Sequence, residues 1–174
     1  MYPLSHEPPL SLVLDTNVVI DWLVFDDAFM APLRDGIAQG QIRVLTHAPA
    51  IVELQRVVGY PALKLSPDRQ RSIVARYLDQ TRVPTLPQGF SLTQMLTPTG
   101  FPRCRDPDDR HFLALAFHAR AQALVSRDKA VLKLRRRARQ FDVNIQTVPE
   151  MITRLRDLAA VCVPQRAPFI PAAW

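Results

Sequence analysis

LVLDTNVVIDWL, residues 12–23, is the stretch that decides the fold. Together with Ser11, its first apolar residues predict a short buried strand that ends at Asp15. The residues after this aspartate repeat apolar side chains at helical spacing, so a helix is predicted over residues 16–25. A buried strand that runs directly into a helix is typical of proteins built on a parallel sheet.

The alternation of strands and helices continues along the chain. Further strands are predicted over residues 41–45, 82–84, 123–126 and 143–147, and helices over 28–39, 49–60, 66–79, 107–121, 129–140 and 149–158. We therefore expect a three-layer α/β/α sandwich with a central parallel sheet. One domain is expected over residues 1–160, with a long proline- and glycine-containing connection over 86–105. Residues 161–174 are rich in proline and are expected to form an irregular tail.

The composition restricts the class of protein. Hydrophobic residues make up 48% of the chain and charged residues 22%, which is typical of a globular domain. No stretch is apolar enough for a membrane span, and the first residues lack the pattern of a secretory signal. Cys104 and Cys162 are not in a metal-ligand spacing, so we expect reduced thiols in a cytoplasmic protein with no membrane partner. The net charge of +6 favours a polyanionic partner.

Four acidic residues are predicted to meet at one edge of the sheet. Asp15 follows the first strand, and Asp128 lies two residues beyond the strand that ends at Ser126. Glu53 lies one turn into the helix that follows the second strand. Asp109 lies in the first turn of a helix that is entered from the long connection. Ligands of such sheets bind outside the carboxyl ends of the strands, so this edge is the expected site.

Gathered carboxylates indicate a metal-dependent reaction. They repel one another, which raises their pKa values unless a cation is bound. Mg²⁺ and Mn²⁺ prefer all-oxygen sites of this kind, and such ions activate water and neutralise phosphoryl oxygens. This chemistry is suited to phosphodiester hydrolysis. The RNA backbone would be attracted by a basic cluster formed by Arg135, Arg136, Arg137 and Arg139.

Each of these residues also has an ordinary structural interpretation. An aspartate after a strand, such as Asp15 or Asp128, is often only a helix N-cap. Glu53 alone is typical of a solvated helix residue, and Asp109 and its acidic neighbours are also compatible with a helix-capping role alone. A run of arginines is often a solvated face. These alternatives stay open residue by residue, but one site accounts for all four acids together.

Three blocks of sequence resemble PIN domains. LVLDTNVVIDWL resembles the family's opening strand with its first metal-binding aspartate, and THAPAIVELQRVV, residues 46–58, is similar to the segment that carries the family's glutamate. CRDPDDRHFLALAFHARAQALVSRDKAVLKL, residues 104–134, is similar to the block with the remaining aspartates. The resemblance covers residues 12–148. Within the family, the chain looks closest to toxin components of bacterial toxin–antitoxin pairs.

The resemblance implies a Mg²⁺- or Mn²⁺-dependent endoribonuclease that hydrolyses RNA. It also implies an antitoxin protein as partner and self-association as a homodimer. By position in the three blocks, the catalytic metal ligands would be Asp15, Glu53, Asp109 and Asp128, with Asp106 as an auxiliary ligand and with Asn17 and Ser126 orienting the carboxylates by hydrogen bonds.

Three other functions fit parts of the same pattern. A structure-specific DNA nuclease would use the same acidic edge. A phosphatase with Asp15 as nucleophile would want a second aspartate two residues later, where this chain has Asn17. A binding module that retains the fold without catalysis is the third, and the presence of all four acids argues against it.

Overall fold

The fold is described by a computed structural model for residues 8–85 and 97–161, with side chains up to residue 158. Part of the predicted long connection, residues 86–96, and most of the predicted tail, residues 162–174, lie outside the described residues. In the described part, no helix has both the length and the apolarity needed to cross a membrane.

A five-stranded sheet forms the centre of the molecule. The strands are β1 (Leu10–Leu14), β2 (Ile42–Leu45), β3 (Thr81–Arg82), β4 (Ala123–Val125) and β5 (Ile145–Gln146). All neighbouring strands pair in parallel, and their order across the sheet is β3-β2-β1-β4-β5. The predicted parallel sheet is therefore confirmed, although β3 and β5 are shorter than predicted.

Helices connect the strands and cover the sheet. They are α1 (Thr16–Leu23), α2 (Ala31–Ala38), α3 (Ala48–Val58), α4 (Pro67–Gln80), α5 (Arg110–His118), α6 (Lys129–Leu132), α7 (Arg135–Ala138) and α8 (Val148–Val161). Helix α2 is terminated by a glycine. Gly40 takes a positive φ of 70°, and the N–H of Gln41 reaches back to the carbonyl of Gly36, as in a glycine-terminated helix.

Two apolar cores lie on opposite faces of the sheet, as the period of two along a strand requires. Leu12 and Leu14 of β1 belong to one core with α1, α2, α4 and α8, whereas Val13 belongs to the other with α5, α6 and α7. Helix α3 contributes to both cores, since Leu54 lies in the first and Ala50 in the second. The predicted three-layer α/β/α sandwich is confirmed.

Three predicted helices differ from the structure. The helix predicted over 28–39 is divided into a 3-10 turn, Ala28–Met30, and α2. The helix predicted over 107–121 begins only at Arg110, because the carboxylate of Asp106 accepts a hydrogen bond from the N–H of Asp108 and holds a turn there. Asp109 therefore stands at the N-cap position instead of inside the helix. The helix predicted over 129–140 is divided into α6, α7 and a 3-10 turn, Arg139–Phe141.

Candidate active site at the carboxyl edge of the sheet

The two central strands define a crevice. From β1 the chain continues outward to β2 and β3, whereas β4 pairs with the other side of β1 and leads to β5. Ligand sites of open parallel sheets form at such a reversal of strand order, outside the carboxyl ends of the strands. Asp15 follows β1 at this point, and its N–H donates to the carbonyl of Val125, the last residue of β4, at 3.0 Å.

Asp15 is a buried carboxylate, only 2% exposed. Its Oδ2 accepts a 2.5 Å hydrogen bond from the hydroxyl of Ser126, and its Oδ1 accepts from the N–H of Asn17 at 3.3 Å. Burial raises the pKa of Asp15, the two hydrogen bonds oppose this, and the charges of Glu53 and Asp128 raise it further. Asn17 was predicted to orient a carboxylate by a hydrogen bond. In the structure its backbone N–H makes this contact with Asp15, and the residue is exposed.

Asp128 has the structural role that its position suggested. It is the N-cap of α6, and its Oδ1 accepts from the N–H groups of Ala130 at 2.5 Å and Val131 at 3.4 Å. Both bonds use the same oxygen, so Oδ2 lies outside the cap. The N–H of Asp128 donates to the hydroxyl of Ser126 at 2.9 Å, which ties this residue to the neighbour of Asp15.

Asp109 is a partly buried acid with a strongly raised pKa. Burial, followed by the charges of Asp15 and Asp128, raises its pKa to about 6. It makes no side-chain cap bond to α5, and its Oδ2 accepts from the thiol of Cys104 at 3.6 Å. Asp109 therefore occupies the N-cap position without capping α5 through its side chain. The electrostatic coupling brings this residue into the same cluster as Asp15 and Asp128.

Glu53 projects from α3 and meets a residue that sequence reasoning missed. Its Oε2 lies 2.9 Å from Nε2 of His111 on α5, and the side chains are 15% and 8% exposed. The solvated-surface interpretation of Glu53 is therefore wrong. His111 gave no usable signal in the sequence, because a histidine within the apolar string HFLALA is equally compatible with an ordinary core position.

A second buried histidine lies beside this pair. The ring of His47 is 4.9 Å from that of His111, and neither ring nitrogen of His47 has a hydrogen-bond partner in the described part of the chain. Burial, reinforced by His111, lowers the pKa of His47 to about 4. His47 is therefore neutral at pH 7. On the adjacent residue, the hydroxyl of Thr46 accepts from that of Tyr77 at 2.9 Å.

The other acids of this region are exposed. Asp108 forms an ion pair with Arg56 of α3 at 3.0 Å. Asp106, the predicted auxiliary ligand, accepts from the N–H of Asp108, and its charge contributes to the raised pKa of Asp109. Asp106 therefore lies within electrostatic range of the cluster.

The predicted basic cluster is only partly free for a ligand. Arg135 forms a two-pronged ion pair with Glu150 at the start of α8, with contacts of 2.9 and 2.8 Å. Arg136, Arg137 and Arg139 are exposed. Arg139 lines a shallow depression with Asn144, which precedes β5 and so marks the amino edge of the sheet. Arg139 is therefore near the edge opposite to the four acids.

The donor set fits a hard divalent cation. Asp15, Glu53, Asp109 and Asp128 supply only carboxylate oxygens. Burial, and after it the charges of neighbouring acids, raises the pKa values of Asp15 and Asp109. Among the described residues, however, no three acidic, histidine or cysteine side chains already converge on one point.

The comparisons with known proteins agree with this architecture. A family model described as the PIN domain matches residues 11–130, a segment that includes all four acids. No curated protein and no solved structure matches the chain. PIN domains have an α/β/α fold, are commonly nucleases and generally use divalent metal ions. The matched segment is more than half of the chain, and this protein therefore belongs to the PIN domain family.

Proposed function

We propose that this protein is a Mg²⁺- or Mn²⁺-dependent endoribonuclease. The observation that supports this proposal most directly is the raised pKa of Asp109, which burial and the charges of Asp15 and Asp128 bring to about 6. Carboxylates that destabilise one another in this way are neutralised by a cation of high charge density.

In this proposal Asp15, Glu53, Asp109 and Asp128 hold the cation, and Asp106 is an auxiliary ligand. A bound cation of this kind supplies a water of lowered pKa and neutralises a phosphoryl oxygen. The chain's own residues prepare the site. Ser126 holds the Asp15 carboxylate by its 2.5 Å hydrogen bond, and the α6 amides hold that of Asp128 through Oδ1. Because Asp109 has a pKa of about 6, its carboxyl group is ionised in most molecules at neutral pH and can act as a ligand.

We further propose RNA as the substrate and the toxin of a type II toxin–antitoxin pair as the biological role. The net charge of +6 supports a nucleic acid, and the toxin role is supported by the resemblance of the three sequence blocks. An antitoxin protein would act by covering the acidic edge. Induced expression should arrest growth of the host cells, and Asp15→Asn should relieve the arrest. Self-association as a homodimer is tested by the mass of the purified protein in solution.

The decisive experiment is cleavage of labelled single-stranded RNA in Mn²⁺ or Mg²⁺. It compares the wild-type protein, the same protein with EDTA, Asp15→Asn and Asp79→Asn. Asp79 is an exposed aspartate near the amino edge, so its variant has the same loss of charge far from the site. We expect cleavage by the wild type and Asp79→Asn only. Cleavage that survives EDTA or Asp15→Asn would refute the assignment, and a matched DNA strand tests the DNA nuclease alternative.

A further inference from the structure

Glu53 is held by a side chain that the PIN match does not explain by itself. His111 of α5 reaches across to α3, and its Nε2 lies 2.9 Å from Oε2 of Glu53. The His111 side chain is 8% exposed and that of Glu53 is 15% exposed. A hydrogen bond to a carboxylate is stronger when water is excluded from it, so this contact is a substantial restraint on both helices.

The geometry assigns the hydrogen on the imidazole. A carboxylate only accepts, so Nε2 of His111 must donate to Glu53. In the neutral ring Nδ1 is then the bare acceptor, and in the described structure this atom is buried without a hydrogen-bond partner. The polar contact that orients the His111 ring is therefore the one to Glu53, with the rings of His47 and Phe112 packed beside it at 4.9 and 4.0 Å.

A glutamate needs such a restraint more than an aspartate does. Its longer side chain has one more rotatable bond, and fixing it in one rotamer costs conformational entropy. Asp15 is short and is held by Ser126, whereas Glu53 has to reach the edge of the sheet from the body of α3. Carboxylates and histidines around metal sites are commonly oriented by a hydrogen bond from a neighbouring residue, and its loss weakens metal binding.

We propose that His111 is a positioning residue that donates from Nε2 to Oε2 of Glu53 and so restrains the Glu53 side chain, whose Oε1 would be left to bind the cation. This inference rests on the proposed metal-dependent function. His111 touches neither substrate nor cation in this role and acts only through Glu53. His47 lies beside His111 and is also buried, but it makes no such bond to Glu53 and has no part in positioning.

The test uses variants that separate the hydrogen bond from the volume of the ring. His111→Phe keeps a ring but removes the donor. His111→Gln places an amide N–H near the former Nε2, whereas the shorter His111→Asn places it near the former Nδ1, out of reach of Glu53. His47→Phe is the matched control, because it replaces the neighbouring buried imidazole by the same ring. Mn²⁺ affinity is measured by electron paramagnetic resonance without RNA, and cleavage rates are measured separately at saturating Mn²⁺.

We expect His111→Phe and His111→Asn to weaken Mn²⁺ binding by roughly 10- to 100-fold. The Mn²⁺ affinity of His111→Gln should stay within about threefold of the wild type, because the glutamine amide keeps a donor near Glu53. That of His47→Phe should stay within the same limit, because His47 never donates to Glu53. Circular dichroism and thermal melting identify any variant that fails to fold. If His111→Phe does not fold, the comparison of Gln with Asn decides the matter.

Two different failures are distinguishable. A wild-type protein that binds Mn²⁺ and cleaves RNA, with His111→Asn or His111→Phe folded and equal to it in Mn²⁺ affinity, would overturn the role of His111 alone. A wild-type protein that binds no Mn²⁺ would overturn the proposed function and the role of His111 together. Equal weakening in His111→Gln and His111→Asn would also overturn the positioning role, because only one of the two amides reaches Glu53.

Discussion

The hydroxyl of Ser126 donates a 2.5 Å hydrogen bond to Oδ2 of Asp15, from the end of one central strand to the end of the other. The same hydroxyl accepts a hydrogen bond from the N–H of Asp128 at 2.9 Å. A serine hydroxyl has one donor and two acceptor positions, so both bonds are satisfied at once. One buried side chain thereby fixes the spacing between two of the four acids.

Ser126→Ala should lower Mn²⁺ affinity while the protein stays folded. The substitution removes the donor to Asp15, and loss of such an orienting bond weakens metal binding by roughly 10- to 100-fold. Titration with Mn²⁺ measures the effect, with the exposed Ser72→Ala as control. Unchanged affinity in Ser126→Ala would mean that the backbone alone positions Asp15.

Asp128 allows capping and metal binding to be separated. Asparagine caps helices about as well as aspartate, whereas alanine costs about 1 kcal/mol. Asp128→Asn should therefore abolish RNA cleavage with little change in the free energy of unfolding, and Asp128→Ala should abolish cleavage and also lower stability by about 1 kcal/mol. Urea unfolding and cleavage assays are run on the same preparations. An active Asp128→Asn variant would leave the residue only its capping role.

The metal-free protein should lose stability as its Asp109 ionises. The pKa of this residue is about 6 in the folded state, against roughly 3.9 in the unfolded chain. Between these values the folded state binds more protons, so the contribution of Asp109 to stability falls as pH rises from about 4 to 6. In EDTA, we expect the melting temperature of Asp109→Asn, relative to that of the wild type, to rise as pH increases across this interval. A constant difference between the two would contradict the raised pKa.

His47 changes the stability of the protein with pH in the direction opposite to Asp109, over nearly the same pH interval. The effect of each residue is therefore measured by comparing its variant with the wild type. Its pKa is lowered to about 4, so the unfolded state takes up the proton first as pH falls below about 6.5. The stability contributed by neutral His47 is therefore lost on acidification. The melting temperature of His47→Phe should fall less than that of the wild type between pH 7 and pH 4. An equal fall in both proteins would show that His47 is not buried in neutral form.

The exposed arginines of the basic cluster can be tested through salt. If Arg136 and Arg137 each contact a phosphate, the double alanine variant should reduce the slope of log affinity for single-stranded RNA against log salt by about 1.4. Arg69→Ala with Arg76→Ala removes the same charge from exposed positions on α4 and is the control. Equal slopes in both variants would make the cluster a solvated face.

The fold could be predicted from the sequence because the spacing of apolar residues clearly distinguishes strands from helices. Leu12 to Leu14 alternate between two buried cores, and the chain around them could only be a central strand. Asp15 and Asp128 could be placed at one edge because strand ends fix them directly. Asp109 was placed less well, since the turn formed by the Asp106 carboxylate delays the start of α5.

Contacts between distant side chains could not be predicted from the sequence in the same way. His111 and Glu53 are 58 positions apart, and their contact depends on how α3 packs against α5. The ion pair of Arg135 with Glu150 has the same origin, because it joins α7 to a helix beyond β5. Periodicity fixes which face of a helix is buried, but it does not fix which polar groups of two helices meet.

The strand order also separates the acids in time as the chain is made. Asp15 and Glu53 belong to the first third of the chain, whereas Asp109 and Asp128 emerge from the ribosome only after the long connection. Strand β1 lies between β2, which follows it closely in the sequence, and β4, which comes only after the long connection. A chain that stops before residue 109 therefore carries only half of the proposed metal ligands, so the acidic edge is completed only by the second half of the sequence.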